Sequence, residues 1–120
     1  MNIAILTSDI HDGLIVTQRL LREGKDLKAV IYEKKKKTLR HLAKRSLLKA
    51  RGLIDGISYE AILRGHGQVE LLGVEDINSR STISLLESTG PELIVVIGTR
   101  KLDKEVFSSA SAGAINMHSG

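Results

Sequence analysis

The sequence predicts an α/β domain, a doubly wound and mostly parallel sheet with helices packed on it. Short, near-continuous aliphatic runs recur along the chain, as strands buried on both faces require. Segments with helical spacing alternate with those runs. Aromatic residues are almost absent, with only Tyr32, Tyr59 and Phe107 in 120 residues. The core must therefore be built from Ile, Leu, Val and Ala. Hydrophobic residues make up 42% of the chain, which is enough for one small domain and too many for a disordered tail.

Each element follows in order. Asn2-Ile3-Ala4-Ile5-Leu6-Thr7 reads as a buried first strand. Residues 8–13 read as a polar turn, in which Asp9 and Asp12 are turn and capping residues. A helix is expected over residues 14–23, with Leu14, Gln18 and Leu21 on one face and Gly24 as its stop. Residues 27–32 give a second strand, and a β-α-β opening implies a parallel pair. In residues 39–50, Leu39, Leu42, Ala43, Leu47 and Ala50 recur at helical spacing, and Gly52 ends the segment.

A short helix is expected over residues 58–64, capped by Ser58, with Ala61, Ile62 and Leu63 turned inward. Residues 69–74 form a third strand, although Gly73 is a poor strand residue. Asn78 or Ser79 caps a helix to Thr89, which Gly90 and Pro91 terminate. Leu93-Ile94-Val95-Val96-Ile97 is the strongest strand signal in the chain. A loop follows, Asp103 caps a short helix through Phe107, and residues 114–117 form the last strand. Residues 1–120 read as a single domain, with no repeat, linker or second domain.

Composition excludes several classes of function. The chain has no Cys, so disulfides and thiolate metal sites are ruled out. Nothing at the N-terminus resembles a signal peptide, and no apolar run approaches the roughly 20 residues of a membrane span. A cytoplasmic protein with no membrane partner is expected. The formal net charge of +4 hides a strong asymmetry. Residues 34–51 contain nine Lys and Arg and no acid, whereas the rest of the chain has nine basic and fourteen acidic residues. A basic segment could attract an anionic partner. With no aromatic side chain interleaved for bases to stack on, a solvated helix face is the simpler expectation.

Ligands of open α/β sheets gather at the carboxyl ends of the strands. In this order of elements, three segments meet there: residues 8–13, residues 98–102 and residues 116–120. The first turn has one glycine, Gly13, where a dinucleotide fingerprint needs three, and its aspartates would repel a pyrophosphate. NAD, FAD and Walker-type phosphate binding are therefore not expected. His11, His41 and His66 show no spacing that suggests a metal site, and no metal is expected. The last strand ends in Asn116 and His118, two apart and so on one face. An amide donor can hold an oxyanion and an imidazole can move a proton, the pair that acyl transfer needs.

Pro91-Glu-Leu-Ile-Val-Val-Ile-Gly98, then Lys101-Leu-Asp-Lys-Glu-Val-Phe107, then Gly113-Ala-Ile-Asn-Met-His-Ser-Gly120 resembles the N-terminal catalytic domain of the formyltransferase family. Its members act on glycinamide ribonucleotide, methionyl-tRNA and amino sugars. The opening strand fits as well, but only the last thirty residues match as a motif. The resemblance implies a Rossmann-like fold truncated after the fifth strand. It also implies transfer of a formyl group from 10-formyltetrahydrofolate to a small-molecule amine acceptor of the nucleotide-sugar or tRNA-linked kind. Asn116 and His118 would be the catalytic pair. Gly98, Thr99, Arg100, Lys101 and Leu102 would border the folate, and Ser8, Asp9 and Gly13 would face the acceptor. The family's later Leu-x-Pro turn and catalytic Asp have no counterpart here. The chain by itself is thus expected not to turn over, and the sheet edge left by the missing strands is expected to invite self-association. The alternative is a non-catalytic α/β module that binds an anionic partner through residues 34–51.

Overall fold

The computed structural model of the chain describes residues 1–34 and 58–117. In chain order these form β1 (Asn2–Thr7), α1 (Ile10–Arg22), β2 (Asp26–Glu33), α2 (Tyr59–Ile62), β3 (Glu70–Val74), α3 (Arg80–Thr89), β4 (Leu93–Ile97), α4 (Lys104–Phe107) and β5 (Gly113–Met117). The five strands make one all-parallel sheet in the order β3-β2-β1-β4-β5. The expected α/β doubly wound architecture is what the chain adopts. The basic helix expected over residues 39–50 lies outside the described residues.

Strand parity divides the core in two. Ala4, Leu6, Ala29, Ile31, Ile94 and Val96 face α3 and α4, where they meet Ile83, Leu86 and Val106. Ile3, Ile5, Leu27, Val30, Val95 and Ile97 face α1 and α2, where they meet Leu14, Tyr59 and Leu63. Leu27 and Ala29 are two apart yet lie on opposite faces, because the β1–β2 register shifts between Ile3 and Ala4 and passes over Lys28. Without that shift, either Leu27 or the Ala29–Ile31 pair would turn out of its core. Leu86 is fully buried beneath α3. Truncating such a leucine to alanine costs about 2–5 kcal/mol.

Two local details differ from the sequence expectation. Helix α1 begins at Ile10, four residues before Leu14, because the Asp9 carboxylate accepts the Asp12 N–H at 3.0 Å and starts the helix there. Helix α2 is a single turn capped by Ser58, and it buries Tyr59 and Leu63 at i and i+4 while Ala61 stays exposed. Gly73 belongs to β3, where its missing side chain leaves room for the ring of Tyr32 on the paired strand. Of the two candidate caps for α3, Ser79 is the one used, and Gly90 closes the helix in a left-handed conformation. Among the described residues, no helix is long and apolar enough to cross a membrane.

Candidate functional site at the carboxyl edge of the sheet

The chain leaves β1 for β2 on one side of the sheet, whereas β4 lies on the other side of β1 and leads outward to β5. The strand order reverses between β1 and β4, the position at which open α/β sheets carry a crevice outside the carboxyl ends of their strands. Its walls are the turn after β1 and the 98–102 loop after β4. Ser8 N–H donates to the Ile97 carbonyl at 3.2 Å and ties the two together. Gly98, at φ +60°, lies against Asp9.

The turn after β1 is locked from within. Thr7 Oγ1 donates to the Asp9 carbonyl at 2.7 Å and accepts the Asp9 N–H at 3.1 Å. Asp9 is thus the N-cap of α1, the capping role its position predicts. Gly13 is buried on the α1 side, under the Tyr59 hydroxyl and the Thr7 side chain. That hydroxyl donates to the Ile10 carbonyl at 3.4 Å, and its burial pushes the phenol well above the usual tyrosine range. The Tyr59 ring stacks on Tyr32 with centroids 5.3 Å apart.

On the opposite face stands a residue for which the sequence suggested no role. Glu33, the last residue of β2, is the only buried charged side chain among the described residues. Its Oε1 accepts from Ser8 Oγ at 3.1 Å and from Arg100 Nη2 at 3.3 Å. Its Oε2 accepts from Ile77 N–H at 2.7 Å and forms an ion pair with Arg100, whose Nε lies 3.2 Å away. One carboxylate therefore joins the turn after β1, the segment between β3 and α3, and the loop after β4. The signal available in the sequence was an acid closing an aliphatic run, Leu-Lys-Ala-Val-Ile-Tyr-Glu.

The 98–102 loop is held again from outside. Asn78 Nδ2 donates to the Lys101 carbonyl at 3.1 Å, and Asn78 Oδ1 accepts the Asp103 N–H at 2.7 Å. Leu102 packs into the α3/α4 core, while Lys101 is exposed and Thr99 bonds the neighbouring Arg100 carbonyl. Arg100 is the loop side chain that reaches across the crevice.

Asn116 pairs in register with Val96, one step before the end of β4. By parity it shares the α3/α4 face with Val96, Glu33 and Leu102. It is exposed, as are Ile115 and Met117 on the other face of β5. His118 lies outside the described residues. The structure thus brings Ser8, Arg100, Leu102 and Asn116 to one side of the edge, and puts Gly13 on the other. Ser8 is turned inward to Glu33 and Asp9 to the backbone of α1. Two open clefts, of about 350 and 500 Å3, lie away from this edge, between α3 and α4 and between α1 and α2. Neither is lined by a candidate site residue. Among the described residues, no three His, Asp or Glu side chains are grouped to share a metal ion.

The fold and its edge define an open, doubly wound α/β protein with a polar crevice at the switch in strand order. No protein-family model matches the chain, and no curated protein matches it.

Proposed function

We propose that this chain carries the donor side of a formyl-transfer site, which takes a formyl group from 10-formyltetrahydrofolate to a small-molecule amine linked to a nucleotide sugar or tRNA. The observation that carries the proposal is the parallel β4–β5 register, in which Asn116 lies opposite Val96 beside the 98–102 loop. The resemblance between these same residues and the formyltransferase motif adds to it.

In this scheme the amine nitrogen adds to the formyl carbon, and the carbonyl oxygen gains negative charge. The Asn116 amide donates a hydrogen bond to that oxyanion, and the His118 imidazole assists it and the proton movements. The C–N bond to the folate then breaks, and the folate nitrogen gains the proton that the amine loses. One oxyanion donor contributes on the order of 3 kcal/mol to such a step. The family's aspartate has no counterpart in these 120 residues, so the proposal concerns donor binding and oxyanion stabilisation. A cytoplasmic location accompanies it. Exposed Ile115 and Met117 on β5 would supply the surface for self-association.

Hydrogen exchange with and without 5-formyltetrahydrofolate, a stable isomer of the donor, tests the proposal. Protection is expected at residues 98–102 and 115–117. No change in either segment at saturating ligand would rule it out.

A further inference from the structure

The Glu33 carboxylate accepts three hydrogen bonds, from Ser8 Oγ, Ile77 N–H and Arg100 Nη2, and Arg100 Nε stands in ion-pair contact with its second oxygen. Both of its oxygens are engaged within the protein. Arg100 differs: its side chain is 61% exposed against 9% for Glu33, and its Nη1 has no partner among the described residues. A buried carboxylate that holds an exposed guanidinium through one hydrogen bond and a second ion-pair contact fixes the direction of that guanidinium. Metal-binding histidines are oriented by their outer carboxylates on the same principle.

We propose that Glu33 is the positioning residue of the carboxyl-edge crevice. It sets the Arg100 guanidinium, and with it the 98–102 loop, so that the remaining N–H groups of Arg100 are presented to oxygen acceptors of a bound ligand. Only the identity of that ligand, a folate, rests on the formyl-transfer proposal. A purely structural Glu33 would hold Ser8 and Ile77 and leave Arg100 incidental.

The two roles separate in the ligand-free protein. By NMR, exchange of the Arg100 Nη2 protons with water should be slowed roughly tenfold relative to an unpaired arginine. Glu33→Gln, nearly isosteric, should abolish that protection. Arg100→Gln alters an exposed side chain and leaves the Ser8 and Ile77 bonds in place, so it should fold even if Glu33→Gln does not. In that variant the Glu33 carboxylate carbon resonance should move. Protection that survives Glu33→Gln, or a Glu33 resonance unchanged in Arg100→Gln, overturns the inference.

Binding of 5-formyltetrahydrofolate supplies the second arm. Each single variant should raise Kd by about tenfold, and the double variant should raise it no further, since both break one unit. Independent, additive losses would also overturn the inference. If the unaltered protein binds no folate, the formyl-transfer proposal fails, and the NMR arm alone decides the role of Glu33.

Discussion

Gly98 and Asp9 are in contact across the crevice: a β-carbon on Gly98 would come to 3.0 Å from the Asp9 β-carbon, and Gly98 holds φ +60°. The turns after β1 and β4 therefore approach as closely as a residue without a side chain allows. Gly98→Ala meets two penalties, a left-handed conformation worth about 1–2 kcal/mol and a tight contact with Asp9. Chemical denaturation should show a loss of at least about 1 kcal/mol, with the slope against denaturant unchanged. A variant as stable as the parent would mean that the two turns are not packed in this way.

Gly13 answers to a different neighbour. A β-carbon there would collide with the Tyr59 hydroxyl and approach Thr7 Cγ2 to 2.7 Å. Gly13→Ala should destabilise by roughly 1–3 kcal/mol, the usual cost of overpacking. Removing the hydroxyl with Tyr59→Phe should recover part of that loss in the double variant, because one of the two obstacles is gone. Strictly additive losses would place the strain elsewhere.

Tyr59 also gives the protein a pH dependence of definite sign. Burial raises its phenol above the ordinary value of 10.0, so above that pH the unfolded chain loses this proton before the folded one does. The contribution is fully present below pH 10 and is lost as pH rises beyond it. Denaturation midpoints measured between about pH 9 and 11 should fall, and Tyr59→Phe should flatten that fall. An unchanged slope in the variant would show that other groups cause it.

The order of elements was legible because each signal is local. Five aliphatic residues end at Gly98, Ser79 precedes a helical stripe, and Gly90-Pro91 follows it. Helix α1 starts before its apolar spacing does because a single capping bond, from Asp12 N–H to Asp9, outweighs the onset of that spacing. The candidate site was legible only in part. The convergence of residues 8–13 and 98–102 follows from topology. The centre of their connection does not, since the partners of Glu33 are 25, 44 and 67 residues away in sequence. No periodicity encodes such a contact. Tyr59 escaped notice in the same way, because its role comes from stacking on Tyr32 and closing over Gly13.

Asn78 allows the loop to be tested without touching the crevice itself. Its side chain makes one bond to the Lys101 carbonyl and another from the Asp103 N–H, bracketing the end of the 98–102 segment. Both bonds are exposed, so Asn78→Ala should cost only about 1 kcal/mol in global stability. Locally the effect should be larger, because two anchors leave at once while the one through Glu33 and Arg100 remains. Hydrogen exchange should quicken across residues 101–104, and the Arg100 Nη2 protons should keep their protection. If those protons also lost their protection, the loop would depend on Asn78 rather than on Glu33, and the clasp at the end of β2 would be secondary.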